Sequence, residues 1–393
     1  MRRATILAGG LGTRLRSATD VPKVVAPVAG RPYLCWILDQ LEGFDVTIAT
    51  GHAAGVVESA IGPGVSYSRE TSPLGTGGAV KLAGAGGFVL NGDSYCRVSF
   101  DAFEHFARGG AALVLTHVPD TTRYGRVDVD VDGRVTAFRE KGIAGPGWIN
   151  AGIYFLPDEI VHGLPAGASS LERDLFPRLA ASGQLRGYRG GGPFLDIGIP
   201  ETYAAAPAFF ASLAPRPPRG LAILDRDGTI IEEKNYLHDP GQVVLVPGAA
   251  DAIRELRRQG LVPVVLTNQS GVARKMFTRA DVDAVHARMN ALLGDAAISS
   301  IFVCPHHPDD GCACRKPRDG LVREAEQALG LRALVTIGDK TSDVGLPGPT
   351  FRVLVRTGWG KDHLAAPADV VVEDLWAAAV AVGSRDDGTH AHP

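Results

Sequence analysis

Residues 221–229 read LAILDRDGT, and the rest of the chain is organised around that stretch. Four apolar residues, Leu221 to Leu224, run straight into Asp225, Arg226, Asp227, Gly228 and Thr229. A short apolar run that stops at a polar, glycine-containing turn predicts a buried parallel strand whose C-terminal end faces a site. Two carboxylates two positions apart on a turning backbone suit one Mg²⁺. The first holds it by its side chain and the second by its backbone carbonyl. Asp225 is then aimed at a phosphorus atom as a nucleophile, and Asp227 is free to move a proton.

The chain after this stretch supplies what such a site needs. Residues 249–260 pattern as an amphipathic helix ended by Gly260, and 261–266 as a buried strand finishing at Thr267-Asn268-Gln269-Ser270-Gly271. A hydroxyl at a strand end, here Thr267, is placed to donate to a bound phosphate. The strand predicted over 301–303 leads into CPHHPDDGCACRKP at 304–317. Cys304, His306, Cys312 and Cys314 offer three sulfurs and an imidazole in eleven residues, a donor set for tetrahedral zinc, with His307 as a competing ligand. Zinc there would pin the loop that carries Arg315 and Lys316. Further on, VTIGDKTSD at 335–343 brings Asp339, Lys340 and Asp343.

As a set, DRDGT, LTNQSGVAR, CPHH with CACRKP, and GDKTSD resemble the haloacid-dehalogenase (HAD) phosphatases, within them the D-glycero-D-manno-heptose 1,7-bisphosphate 7-phosphatases; histidinol phosphatases share much of the pattern. The resemblance implies a Rossmann-like domain without a large cap. It makes Asp225 the phosphorylated residue and Asp227 the acid and base. Asp225, Asp227 and Asp339 become the Mg²⁺ ligands, with Asp343 in support. Thr267, Asn268, Arg315, Lys316 and Lys340 become phosphate- and substrate-binding groups. Gly345, Pro347, Gly348 and Pro349 break the helix such proteins carry after Asp343, so a shortened segment is expected there.

The first half opens differently. Residues 4–8 (ATILA) form a predicted strand that turns into Gly9, Gly10, Leu11, Gly12, Thr13 and Arg14, with Lys23 nine residues on. Glycines let backbone N–H groups approach a triphosphate, and Arg14 and Lys23 add fixed charge. Alternating signals follow: a helix over 33–41, a strand over 46–50, a helix over 53–61 and a strand over 65–68. Asp93 ends the apolar run 87–90, and Asp196 follows Phe194-Leu195.

LAGGLGTRLR, VPK, SPLGTGGA, LNGD, YGRV, FREKG and NAGIYF resemble the sugar-nucleotide pyrophosphorylases, closest to the heptose 1-phosphate guanylyltransferases. The resemblance implies a Rossmann-like nucleotidyltransferase (GT-A-like) fold over about 1–210. Gly9, Gly10, Gly12, Thr13 and Gly75 would hold the nucleotide, and Arg14 and Lys23 its phosphates. Asp93 and Asp196 would bind Mg²⁺, Lys141 the sugar 1-phosphate and Asn150 the sugar hydroxyls. Val24 and Val25 depart from the family, which has another proline and an aliphatic residue after Pro-Lys.

Length and composition agree with a two-domain α/β enzyme. The 393 residues exceed one ordinary core, and 45% hydrophobic with 21% charged residues are globular values. A net charge of −3 offers no basic field for nucleic acid or an anionic membrane. No apolar run spans a bilayer, and five cysteines suggest no disulfide framework, so a reduced, cytoplasmic enzyme is expected. The expected division is a transferase domain over 1–213, a Pro-rich spacer over 214–220, a phosphatase domain over 221–382 and a polar tail over 383–393. The expected partners are sugar phosphates and a nucleoside triphosphate. Resemblance favours GTP over ATP and heptose over a hexose, and sequence implies no oligomeric state.

Overall fold

A computed structural model describes residues 1–15 and 17–386. The chain divides into two compact units. Met1–Val98 and Phe103–Leu213 make one; Ser99–Ala102 and the chain from Ala214 make the other.

Seven strands form the sheet of the first unit: β1 (Arg3–Leu7), β2 (Asp45–Thr50), β3 (Ser66–Arg69), β4 (Gly87–Asn91), β5 (Ala111–Val118), β6 (Gly147–Leu156) and β7 (Leu185–Gly191). Their order across the sheet is β7-β5-β6-β4-β1-β2-β3. All neighbours run parallel except β6, which is antiparallel to both β4 and β5. The central strands are apolar on both faces, as a sheet covered by helices on either side requires. Leu113, Leu115, Tyr154 and Leu156 pack against Leu171, Leu175, Phe176 and Leu179 on one face. The helix expected over 33–41 is α-helical over Tyr33–Leu38 and tightens to a 3₁₀ turn over Asp39–Leu41.

The second unit holds six strands, all parallel: β8 (Gly220–Leu224), β9 (Leu261–Asn268), β10 (Ile301–Cys304), β11 (Ala333–Gly338), β12 (Phe351–Val355) and β13 (Val370–Val372). Their order is β10-β9-β8-β11-β12-β13. The quoted stretch thus supplies the central strand, every residue of which is buried. Successive strands after β8 build outward on one side, and from β11 onward on the other. The order therefore reverses between β8 and β11, and their C-terminal ends open on a crevice. Leu221, Ile223, Val264 and Leu266 form one core face with Leu321, Val322 and Ala325 of the helix Gly320–Leu329.

Two expectations need correction. The Pro-rich stretch over 214–220 is no free spacer. Arg216 N–H donates to the Arg258 carbonyl and Arg219 N–H to that of Gly260, each at 2.8 Å, and Gly220 already belongs to β8. Prolines leave these two residues as donors, and the end of the helix Ala249–Arg258 presents the acceptors. The expected polar tail also begins too early, because the last helix runs Leu375–Asp386. Its apolar face (Leu375, Trp376, Ala378, Ala379, Val382) is buried and carries the helix past 382; residues 387–393 of that tail lie outside the described residues. After Asp343 the helix is a single turn, Thr341–Val344, ended at Gly345 as the glycines and prolines there predict.

Candidate active sites

In the second unit, Asp225 follows the last residue of β8 and Asp339 the last residue of β11, so the strand-order reversal brings two acids together. Asp225 N–H donates to the Ile337 carbonyl at 3.0 Å, fixing the start of the turn. Carboxylate oxygens of Asp225, Asp339 and Asp343 lie within 4.8 Å of one another, all three buried. Asp339 Oδ2 accepts from Trp359 N–H at 2.8 Å, whereas its Oδ1 is buried without a hydrogen-bond partner. Gly228, at φ +85°, passes so close that a Cβ would collide with the Asp339 carboxylate. Burial and the Asp225 charge push the Asp339 carboxyl up to about 8. Three buried acids, one with an oxygen that no hydrogen bond satisfies and that only the Lys340 ammonium faces at 3.7 Å, are the donor set of a hard divalent cation, which fits Mg²⁺.

Lys316 is the buried counter-charge. Its Nζ lies 2.6 Å from Asp225 Oδ1 and 2.7 Å from Asp343 Oδ1. Burial alone would raise the Asp225 carboxyl, but the Lys316 ammonium, backed by Lys340, holds it below its ordinary value. Burial would likewise lower Lys316, and the two carboxylates more than reverse this. Asp225 is thereby kept ionised, the form a nucleophile needs. Lys340 Nζ sits 2.8 Å from Glu233 Oε2. Arg315 keeps one buried guanidinium nitrogen, Nη1, without a partner. The Thr267 hydroxyl is buried and accepts from Gln269 Nε2 at 2.8 Å, leaving its own proton to donate.

Three residues behave differently from expectation. The Asp227 carboxylate stands apart from the acid cluster, as a carbonyl ligand would, but it is not free as expected. Arg226 takes it in a two-pronged bond (Nε to Oδ2 3.0 Å, Nη2 to Oδ1 2.9 Å), and Gln269 Nε2 donates to Oδ2 at 2.9 Å. With its carboxylate so occupied, only its backbone carbonyl is left to face a metal. Asp343 enters the cluster directly, and its Oδ2 accepts from Lys340 N–H at 3.0 Å. Asn268, expected on the substrate, spends its amide on the main chain of Lys316.

Cys304, His306, Cys312 and Cys314 converge as the spacing suggested. Cys304 and Cys312 sulfurs are 3.6 Å apart, Cys312 and Cys314 3.5 Å, and His306 Nδ1 lies 3.1 Å from Cys314 Sγ. Tetrahedral zinc with Zn–S bonds of about 2.3 Å separates its sulfurs by about 3.8 Å, so the four atoms fit that ion. His307 turns away, its Nδ1 facing Asp309 Oδ2 at 3.3 Å.

In the first unit a cavity of about 510 Å³ opens at the C-terminal ends of β1, β2 and β4, lined among others by Gly9, Gly10, Lys23, Glu70, Gly75 and Asp93. Lys23 is ion-paired to Asp93. Asp196 is brought beside them by a two-stranded ribbon, Ser94–Cys96 with Phe194–Asp196, and by Ile197 N–H donating to the Asp93 carbonyl at 3.1 Å. Burial and the Asp93 charge raise the Asp196 carboxyl, as expected of two acids sharing one cation site. Gly12, Thr13, Arg14, Lys141 and Asn150 are not among the lining residues. Thr13 and Arg14 are exposed on the 3₁₀ turn Thr13–Leu15, and Lys141 is exposed on its loop. Both ends of the Asn150 amide serve its own strand, Oδ1 accepting from Gly152 N–H at 2.9 Å and Nδ2 donating to Tyr154 Oη at 3.0 Å.

Residues 3–212 match the family described as nucleotidyl transferase, just over half of the chain. The chain belongs to the nucleotidyl transferase family. Residues 220–343 match a second family, polynucleotide kinase 3 phosphatase. The D-glycero-beta-D-manno-heptose-1,7-bisphosphate 7-phosphatase of Pseudomonas aeruginosa is 36% identical, over 42% of this chain and 98% of that protein. The D-glycero-alpha-D-manno-heptose 1-phosphate guanylyltransferase of Aneurinibacillus thermoaerophilus is 35% identical, over 52% of this chain and 96% of that protein. A crystal structure of HddC from Yersinia pseudotuberculosis matches 53% of this chain and 100% of that one, at 34% identity and a TM-score of 0.48. This nucleotidyl transferase therefore carries a phosphatase on the same chain and is a bifunctional enzyme.

Sequence reasoning gave no role of their own to Arg226, Gln269 and Glu70, which stood inside its motifs, and passed over His286 and Glu233. Only Arg226 carried a signal, as a cation inside an otherwise buried run between two acids. Among the described residues no helix is long and apolar enough to cross a membrane.

Proposed function

We propose that the protein converts a heptose 1,7-bisphosphate to a nucleotide-activated heptose in two consecutive steps, one in each unit. The observation that carries this reading is the pairing on one chain of a Lys316-charged phosphatase crevice with a nucleotidyl transferase cavity. Relatives of the two parts are named for the same sugar at successive stages.

In the phosphatase, Asp225 Oδ attacks the 7-phosphorus, and the bond to the sugar oxygen breaks as Asp227 supplies that oxygen with a proton. Asp227 then takes a proton from water, whose oxygen attacks the phosphoaspartate, releasing phosphate and restoring Asp225. Lys316, Arg315 and Thr267 bind the transferring oxygens. Asp225, Asp339 and the Asp227 carbonyl, with Asp343 completing the acid cluster beside them, would hold Mg²⁺, which supplies charge neutralisation for those oxygens. The Cys304, His306, Cys312 and Cys314 set would hold structural zinc. Three thiol ligands favour a reducing compartment such as the cytoplasm. The short segment 225–248 serves in place of a large cap, leaving the crevice open to a small sugar phosphate.

In the transferase, a 1-phosphate oxygen attacks the α-phosphorus of GTP and pyrophosphate leaves. Lys23 neutralises the phosphates and Gly9, Gly10 and Gly75 approach the nucleotide; Gly12, Thr13 and Arg14 for the nucleotide, and Lys141 and Asn150 for the sugar, do not line the cavity and hold those roles by resemblance alone. Asp93 and Asp196 would hold the Mg²⁺ that draws charge from the α-phosphate. The two compact units act as separate catalytic domains.

The two relatives differ in anomer, β for the phosphatase and α for the transferase. Neither proposed step breaks the C1–O bond, so one anomer must pass unchanged through both sites. We assign the α-anomer, which matches the guanylyltransferase. The test supplies each anomer of the bisphosphate with GTP or ATP and Mg²⁺, and follows phosphate, pyrophosphate and the nucleotide sugar. Activated heptose from the α-anomer with GTP is expected; turnover of the β-anomer alone, or of ATP in preference, would overturn the assignment.

A further inference from the structure

Arg226 is fully buried, an unusual place for a guanidinium, and it lies between the two acids of the phosphatase turn. Two of its nitrogens grip the Asp227 carboxylate. The third, Nη1, lies 3.1 Å from Nε2 of His286, itself buried on the helix Arg279–Leu293. An arginine only donates, so Nε2 is the acceptor and the ring proton sits on Nδ1. Burial and the Arg226 charge push His286 down to about 4, which keeps Nε2 unprotonated for this bond near neutral pH. Thr278 and Asp281 close the start of that helix with a reciprocal cap, Asp281 N–H donating to Thr278 Oγ1 at 3.2 Å and Thr278 N–H to Asp281 Oδ2 at 2.7 Å.

We propose that His286, acting through Arg226, is a positioning residue that fixes the Asp227 carboxylate for proton transfer. The inference rests on the reading of Asp227 as the phosphatase acid and base. A carboxylate on a two-bond side chain has several rotamers. Here Arg226 selects one by its fork, and Gln269 supports it from the other side. Among the described residues the fork has no acceptor but His286 for its remaining nitrogen, so the ring sets the plane in which the guanidinium lies. Asp227 Oδ1, with a single donor on it, keeps a lone pair to carry the proton. Tilting the fork would move that oxygen away from the leaving group, and misplacement by about 1 Å costs on the order of 100-fold in rate.

The test compares H286N and H286Q in the full-length, Mg²⁺-loaded protein. The Gln amide oxygen reaches the place of Nε2, whereas the shorter Asn amide does not. H286N should lower kcat for heptose bisphosphate roughly 10–100-fold with KM within about twofold, and H286Q should restore it to within a few-fold. With p-nitrophenyl phosphate, whose leaving group departs without a proton, the first-turnover burst of nitrophenolate should stay near wild type in both. Wild-type kinetics in H286N, equal loss in H286N and H286Q, or a burst that falls with kcat would each overturn the proposal. Asp227→Asn is the control. If it loses sugar-phosphate turnover and keeps the burst while H286N gives any of those three results, the relay is wrong and Asp227 stands. If Asp227→Asn shows no such split, the reading of Asp227 itself fails.

Discussion

Asn268 grips the main chain of Lys316 from both sides, its Oδ1 accepting from Lys316 N–H at 3.1 Å and its Nδ2 donating to the Lys316 carbonyl at 3.2 Å. One residue at the end of β9 thereby sets where the phosphatase lysine leaves its loop, 48 positions further along the chain. Replacing it should therefore act on Lys316 and not on substrate directly. Asn268→Leu keeps the bulk and removes both bonds. It should lower phosphatase kcat on the order of 10–100-fold, with zinc content and nucleotidyl transfer unchanged. Phosphatase kinetics beside a transferase assay check this, and a rise in KM alone would return Asn268 to the substrate.

His286 should give the protein a distinct acid sensitivity. Burial and the Arg226 charge, with a smaller push from Arg279 and an opposing one from Asp283, place it at about 4 against 6.5 for an ordinary histidine. The folded-state value lies below the unfolded one, so the unfolded chain binds the extra proton between these limits. The stabilisation is complete above about pH 6.5 and is lost as pH falls toward about 4, an effect of at most about 3 kcal/mol. H286Q cannot titrate and should lose less stability over that window. Urea midpoints from pH 7 to pH 4.5 decide the matter; parallel curves for the two proteins would refute it.

The zinc cluster should govern the phosphatase through two residues of backbone. Cys314 is followed by Arg315 and Lys316, and the same loop is tied by Arg318 Nη1 to the Cys312 carbonyl at 2.6 Å. Metal analysis should return about one zinc per chain from this four-ligand set. Cys312→Ser should lower zinc and phosphatase turnover together while sparing nucleotidyl transfer. Full phosphatase activity in a zinc-free preparation would show that the loop holds Lys316 without the ion.

How much of this was legible in sequence depends on distance along the chain. Asp225 and Asp339 could be placed because each ends an apolar strand, and a strand's end is written locally. The zinc ligands were legible because four soft donors fall within eleven residues. The Arg226–His286 bond joins positions 60 apart, and a single histidine on an amphipathic helix carries no mark of its partner. Asn268 was misassigned for a related reason. A polar side chain after a strand suggests substrate, and only the packing of the lysine loop against β9 shows that its amide is already spent. Asn150 and Lys141 were placed by resemblance alone, and neither lines the transferase cavity.

The order of the two reactions should be fixed by charge in that cavity. Lys23 is the one Lys or Arg among its lining residues, and it is already paired with Asp93. A nucleoside triphosphate and a sugar 1-phosphate must be neutralised there by Lys23 and bound cation, since Arg14 and Lys141 lie outside the lining. A second phosphate, still attached at C7, would enter with no second Lys or Arg among the lining residues to receive it, and burying a poorly paired dianion is costly. The bisphosphate should therefore be a poor transferase substrate. In wild type supplied with bisphosphate, GTP and Mg²⁺, phosphate should appear before pyrophosphate. Asp225→Asn, which removes the phosphatase nucleophile, should release almost no pyrophosphate from that mixture, and added heptose 1-phosphate should restore it. Asp93→Asn should do the reverse, releasing phosphate and leaving heptose 1-phosphate unconsumed. Accumulation of a nucleotide-linked heptose 7-phosphate in Asp225→Asn would show that the cavity tolerates the second phosphate and that transfer does not wait for hydrolysis.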